Sequence, residues 1–501
     1  MISGNINGRM TVLPTFRDPE GSCVTLDNRV LRFIRPVSAE RIRALVESTF
    51  IQSLIAEGVL PATHILSATE VSALPVRISD LFGAKAGDGL VLEHERIEFV
   101  SFPHEWCPEM LYAAGELTLA VQLRALDAGF SLKDATPGNI LFRGSKPVFV
   151  DIPSFVPRPL GTPVWIAYAQ FVRTFLLPLI LSKQRGIPPH EVFFRQRDGM
   201  EPEEVYAQLP VLSRLGSVSL QYVSLPTWLG RTQAVKETPQ AAKTYDEERA
   251  LMILRMLVKG LQNAMRKTCP PIHRKSSWSN YMVTSTYERE TFAAKEKFVQ
   301  AALEDLAPAT VLDVGCNTGH FSQVAARLGA SVIAIDYDPV VVGRLYGRAR
   351  AQKVSILPLI VNLARPSPGL GWRNFEIASF LDRVRGRIDA ALLLAVIHHL
   401  TVTDGIPLSD VFRLMSELAS KGIVAEFVPP SDPMFVQIVR NKEYLIPALQ
   451  REHFEDAFTP WFTLVRCEPL VQSGRILYFL RKKKHTVGAP LGAPVKTACA
   501  I

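Results

Sequence analysis

Residues Thr310 to His320 read TVLDVGCNTGH, and this stretch decides the fold of the carboxyl-terminal half. Val311 to Val314, VLDV, reads as a buried strand that carries one acidic residue, Asp313. Gly315, Cys316, Asn317, Thr318 and Gly319 form a turn of small residues, and Phe321 to Leu328 continues at helical spacing. Glycine suits such a turn because a Cβ would obstruct either a positive-φ backbone or a ligand lying against it. The unit is strand, glycine loop, helix, with its loop at the carboxyl edge of a sheet, where open α/β sheets bind ligands. The next expected strand, Ser331 to Ile335, ends in Asp336. Such a carboxylate, about twenty residues beyond the loop, can accept hydrogen bonds from both ribose hydroxyls of an adenosine cofactor.

The spacing narrows the ligand. A dinucleotide calls for GxGxxG, which seats a pyrophosphate on a helix amino terminus. Here Gly315 and Gly319 are spaced GxxxG behind Asp313, and no Gly-Lys-Ser/Thr follows that would make a nucleotide-phosphate loop.

The pattern D-x-G-C-x-x-G-x-F-S, followed by IDYDP, resembles class I S-adenosylmethionine-dependent methyltransferases, and the resemblance continues for some two hundred residues. It implies a Rossmann-like α/β domain with S-adenosyl-L-methionine as cofactor, held by Asp313, Gly315, Cys316, Asn317, Gly319 and Asp336. Asn362, after an expected third strand from Ser355 to Val361, stands where many such enzymes carry an aspartate near the adenine. The expected fourth strand, Ile388 to Val396, runs into His398 and His399, one of which faces the substrate, the alternatives being a helix-capping or a buried histidine. Glu426, at the end of the expected fifth strand, is a base or orienting group, or else makes a structural hydrogen bond. FTLVRCEPL and RILYFLRKK read as the antiparallel pair that closes such a sheet. Trp278, Tyr281 and Tyr287 precede the first strand, where these enzymes often place aromatics over the cofactor sulfonium; helix packing is the alternative. No Asn-Pro-Pro-Tyr type motif or CxxxCxxC cluster is present, which favours an oxygen or simple amine acceptor.

The amino-terminal half holds a second motif, LKDATPGNILF, Leu132 to Phe142, with Asp134 five positions before Asn139 and Asp151 twelve positions after it. The spacing is that of a phosphotransferase catalytic loop, in which the aspartate accepts the substrate proton and the asparagine and a later aspartate hold magnesium. It resembles a kinase-like or aminoglycoside-phosphotransferase-like carboxyl lobe over about Leu111 to Tyr206. The sequence departs from that pattern at Leu132-Lys133 and Ile152-Pro153. No glycine-rich loop or phosphate-binding lysine precedes it, and Arg29, Arg32 and Arg35 lie in the one plausible upstream strand. A degenerate kinase-like lobe that binds substrate or partner is the leading reading of this half. An active phosphotransferase with Asn139 and Asp151 as metal ligands, and a coincidental match, are the alternatives for this half; an adaptor that keeps the cofactor fold without turnover is the alternative for the whole chain.

At 501 residues the chain exceeds what one core usually supports. The expected organisation is an α+β domain over 1–268, a linker over 269–284 around CPPIHRKSS, a methyltransferase domain over 285–483, and a disordered tail over 484–501. Charged residues make up 21% of the chain and its +8 is dispersed, so no nucleic-acid partner is called for. A small-molecule or glycan acceptor is expected. Six scattered cysteines without a pairing or metal pattern point to a reducing, cytoplasmic setting. Val164 to Ser182 is nearly long enough to span a bilayer, but Arg173 at its centre and Pro178 argue for a buried helix. Over most of its length the chain resembles rhizobial host-specific nodulation proteins and their bacterial relatives, which implies methyl transfer in symbiotic signalling or surface-glycan metabolism.

Overall fold

A computed structural model describes residues 10–12, 18–75, 89–232, 244–271, 276, 289–471 and 473–484. Most of the expected linker, the expected tail, and Trp278, Tyr281 and Tyr287 lie outside the described residues. The chain divides into two compact units, one of residues 1–286 with 310–384, the other of residues 287–309 with 385–501.

The first unit opens with an antiparallel sheet. Its strands are β1 (Met10–Val12), β2 (Gly21–Leu26), β3 (Arg29–Ile34), β4 (Thr63–Ile65) and β5 (Leu90–His94), ordered β1-β2-β3-β5-β4. Alternation in β2 and β3 sends Val24, Leu26, Leu31 and Phe33 to one core with Leu66 and Val91. Ile42, Leu45, Val46, Phe50 and Leu54 recur at helical spacing, which predicts one helix from Val37 to Gly58 capped by Ser38; the structure has two, Pro36–Glu47 and Thr49–Ala56. Ser48 adopts an extended backbone between them, and its hydroxyl accepts from Ile51 N, capping the second helix. Ser38, the expected cap, lies within the first turn, where Pro36 starts the helix; its hydroxyl donates to Glu20 instead. Leu90 to Phe102 reads as a strand from its sequence, but the strand ends at His94; Glu237 to Met265 reads as a polar start ending in a helix (Leu251, Ile253, Leu254, Leu257, Leu261), and that helix spans Glu247–Thr268, capped by Asp246.

The Pro108–Asp127 helix leads into two short pairs, β6 (Phe130–Leu132) with β9 (Phe155–Pro157) and β7 (Ile140–Arg143) with β8 (Lys146–Phe149). The Asp134–Asn139 stretch is the β6–β7 connection. Asp151 follows β8. The apolar run around Arg173 is a buried helix containing a π turn, Val172–Leu176, just before Pro178. Pro178 has no N–H for the carbonyl one turn back, and the wide turn absorbs the mismatch. No described helix is long and apolar enough to cross a membrane.

A seven-stranded sheet carries the Rossmann-like pattern. Its strands are β10 (Thr310–Val314), β11 (Ser331–Asp336), β12 (Ile356–Ile360), β13 (Ile388–Leu393), β14 (Ala419–Phe427), β15 (Phe462–Pro469) and β16 (Ile476–Lys482), ordered β12-β11-β10-β13-β14-β16-β15. The β10–β11, β11–β12 and β13–β14 pairs are parallel, and β16 runs antiparallel to both β14 and β15. The central parallel strands read as largely apolar runs because both faces are covered, as in β12, where every residue is buried, whereas the edge strand β15 is mostly exposed.

Within the first unit, Arg383 ties residues far apart in sequence. Its guanidinium pairs with Glu105, whose side chain is fully buried, and donates to Val100 O at 2.7 Å. Phe99 and Phe102 lie 5.1 and 5.0 Å from the cation. Removing one partner of a buried pair strands the other charge, at a cost of about 3–5 kcal/mol. Glu105→Leu is therefore expected to lower the urea midpoint sharply, read by fluorescence of the adjacent buried Trp106, and Glu105→Leu with Arg383→Met to recover most of the loss. A single variant as stable as the parent would show that the pair anchors nothing.

Candidate functional site

The glycine loop owes its shape to β11. Gly315 N and Cys316 N both donate to Ile335 O, at 2.9 and 3.0 Å, so the loop folds back over the end of its neighbouring strand. Gly315, Asn317 and Gly319 all have positive φ (68°, 49° and 78°). At Gly319 a Cβ would also collide with the Leu345 side chain, so glycine is required there on both counts. Asn317 Oδ1 accepts from Thr318 N at 2.7 Å, the local bond that lets asparagine adopt this conformation.

Asp336 receives the loop. Its Oδ2 accepts from Asn317 N and its Oδ1 from Asp338 N, each at 3.0 Å. Burial pushes its carboxyl up to about 6, against the lowering effect of these N–H donors. Asp313 is buried beneath the loop and accepts from the Ser322 hydroxyl, which ties β10 to the following helix. Burial also raises the Cys316 thiol well above its usual range, so it serves as packing rather than as a nucleophile. Asn362 lies just past β12 and accepts from Ala364 N at 2.9 Å, a turn contact. The residues fit an adenosine ligand. Each Asp336 oxygen has lone-pair capacity beyond the single N–H it accepts, and the loop presents backbone rather than side chains.

The second unit holds the other site residues expected from sequence. His398 is buried, stacks on Phe435 at 6.0 Å, and lies 4.3 Å from the His399 ring. Burial lowers both imidazoles, His398 the more strongly, so both are neutral bases near pH 7. His398 Nδ1 has no hydrogen-bond partner among the described residues. Glu426 is fully buried; its Oε2 accepts from Lys295 Nζ at 2.6 Å and its Oε1 from Arg475 at 3.3 Å. Arg475 also donates to Asp432 at 2.7 Å, making a buried network of four charged side chains. Lys295, Arg475 and Asp432 carried no signal in the sequence, because a charge pattern becomes visible only where its partner is near in the chain.

In the amino-terminal half, Arg32 Nη1 on β3 lies 2.9 Å from Asp151 Oδ1. The Asp134 carboxyl is raised by burial and by the charge of Asp151. Asn139 Nδ2 donates to Asp134 O at 3.2 Å, so the motif residues gather in one place.

Residues 287–459 match the family described as Methyltransferase domain. With the strand order and the cradle above, they identify a class I S-adenosylmethionine-dependent methyltransferase domain in this chain. The chain is related over nearly its whole length to nodulation protein NoeA of Rhizobium meliloti (strain 1021), at 29% identity over 478 residues, which are 94% of this chain and 96% of that protein. It is 33% identical over 169 residues to a ubiquinone biosynthesis O-methyltransferase of Xanthomonas oryzae pv. oryzae, covering 32% of this chain and 62% of that enzyme, less than two thirds of its length. The solved N-methyltransferase NodS from Bradyrhizobium japonicum WM9, in complex with S-adenosyl-L-homocysteine, aligns with a TM-score of 0.30 and 14% identity over 41% of this chain and 93% of that one.

The titration of Asp336 sets a pH signature. Hydroxyl donors favour its ionised form, so a ligand bound through them lowers its pKa from about 6 and releases a proton. Affinity for S-adenosylmethionine is expected to be flat above that pH and to fall by up to about tenfold per unit below it. Equilibrium dialysis from pH 5 to 8 checks this, and in Asp336→Asn the dependence should vanish along with most of the affinity.

Proposed function

We propose that this chain methylates a hydroxyl group on a small-molecule or glycan acceptor, in a reducing cytoplasmic setting, within metabolism that serves host-specific nodulation. The observation that carries the reading is the Asn317–Asp336 hydrogen bond, which holds the glycine loop and the carboxylate together as one adenosine-binding cradle. The similarity to NoeA over almost the full length supports the nodulation context. The O-methyltransferase relative supports oxygen over nitrogen as the acceptor atom.

S-adenosylmethionine, when bound, supplies a methyl group already activated as a sulfonium. The protein then has to orient the acceptor, exclude water and take up a proton. Asp336, Asp313 and the Gly315–Gly319 loop are assigned to cofactor binding, with Asn362 at its margin and Tyr287 as an expected contact. Among His398, His399 and Glu426, we assign proton uptake to His398, whose imidazole is neutral and has an uncommitted Nδ1 among the described residues. Glu426, held by two cations, is assigned to orienting the second unit's core.

A second reading concerns the amino-terminal half, which we read as a kinase-like lobe. It is supported by the pairing of β6 with β9 and β7 with β8 around Asp134, Asn139 and Asp151, and by the Arg32–Asp151 pair, which puts an arginine where a phosphate-binding lysine would serve. Arginine already committed to the carboxylate favours a scaffold over an active phosphotransferase.

Two measurements test these readings. The chain is incubated with methyl-labelled S-adenosylmethionine and an extract of its own cells, and the label is followed. The proposal expects an alkali-stable methyl ether in a non-protein fraction, lost in Asp336→Ala. Label in protein, or in no acceptor, overturns it. Calorimetry with Mg-ATP decides the second reading: binding lost in Asp151→Ala revives phosphotransfer, and no binding leaves a scaffold.

A further inference from the structure

A cavity of about 510 Å³ opens in the first unit, lined by no residue of the cofactor cradle and bordered by the turn between Asp134 and Asn139. The volume lies within the range of small-molecule sites, about 300–1,000 Å³. Its walls come from the Pro103 turn, the connection Thr136-Pro137-Gly138, the helix carrying Gln170 and Arg173, the Phe193–Asp198 segment, and Glu376 with Ile377.

The lining is charged yet balanced. Arg173 and Arg197 are matched by Asp198 and Glu376 within the cavity wall. Arg197 pairs with Glu376, and Arg173 also reaches Glu201 at 2.8 Å. Burial lowers the His104 imidazole, so it adds no charge near pH 7. No net field favours an anion. The cavity offers instead a dense mixture of fixed donors and acceptors beside Phe193 and Phe102, whose ring is held in place by stacking on His104. His104 Nε2 and Arg173 Nε are buried polar atoms without a hydrogen-bond partner among the described residues, a costly condition for an unoccupied wall.

The wall is also built in advance. Gly371 has φ +82°, and a Cβ there would meet both Glu376 and Arg197, so this glycine makes room for the ion pair. Met200 N donates to Arg173 O at 3.1 Å, fixing the Phe193–Asp198 segment against the arginine helix. Gln170 Oε1 accepts from Ala135 N at 2.6 Å, which couples the cavity to the turn after Asp134.

From the charge balance, the paired donors and acceptors, and the two phenyl side chains in the wall, we infer that this cavity binds an uncharged saccharide. Each sugar hydroxyl both donates and accepts, so it can satisfy guanidinium and carboxylate together, and a sugar ring offers C–H faces to the phenyl groups. The assignment deepens the hydroxyl-acceptor reading by naming where a glycan would dock. It does not depend on methyl transfer, since binding is measured without S-adenosylmethionine.

The test applies the full chain to an array of defined oligosaccharides, then titrates the strongest uncharged binder by calorimetry, with inorganic phosphate as competitor. Asp198→Ala, at an exposed position suited to substitution without unfolding, and Arg173→Gln are each expected to weaken binding at least tenfold, while S-adenosylmethionine affinity stays within twofold. Binding that both variants leave unchanged overturns the location. No uncharged saccharide bound, or binding displaced by phosphate at equal concentration, overturns the ligand class. Loss of methyl transfer with saccharide binding intact would count against the enzymatic reading alone.

Discussion

One hydrogen bond, from the backbone N–H of Asn317 to the buried carboxylate of Asp336, sets the geometry on which the cofactor cradle depends. It holds three positive-φ residues over the end of β11 and places an anionic acceptor beside exposed loop backbone. The cost is visible in Asp336 itself, whose carboxyl rises to about 6 because burial outweighs the two N–H groups it accepts. Sites of this kind keep a group partly unsatisfied, because the missing stabilisation is what a ligand provides. A carboxylate already saturated by protein donors would be more stable and would bind less.

The buried charges at Glu105 and Glu426 are instead paired with protein cations, and the contrast separates structural from chemical roles. Glu105 and Arg383 neutralise one another inside a shell of phenyl rings, and the Glu426 carboxylate is taken by Lys295 and Arg475. Such networks fix which elements pack together more than they add net stability. Arg383 extends this to architecture. It connects the amino-terminal half to the segment after β12, so the Asp134 motif, the large cavity and the cofactor cradle all belong to the first compact unit.

What the sequence made legible was local. The order strand, glycine loop, helix, strand, aspartate could be read from residues 310 to 336 because each step uses neighbours in the chain. The methyltransferase fold and cofactor followed from that segment. Less was legible where a single residue interrupts a pattern. Helical periodicity runs straight through Ser48, whose hydroxyl instead caps a second helix, and Ser38 looked like a cap only until Pro36 had started the helix before it. The Arg383–Glu105 pair and the Lys295–Glu426 pair were out of reach, since partners 278 and 131 residues apart leave no spacing to recognise. The cavity is the extreme case, because its wall draws on five separate stretches.

The central claim is that the loop from Gly315 to Gly319 and Asp336 hold the adenosine portion of the cofactor. A crystal structure of the chain with S-adenosylhomocysteine tests it most directly. The account predicts ribose hydroxyls within hydrogen-bonding distance of the Asp336 carboxylate and the ligand lying against the Gly315–Gly319 backbone. A ligand bound elsewhere, or a ribose turned away from Asp336, would contradict it.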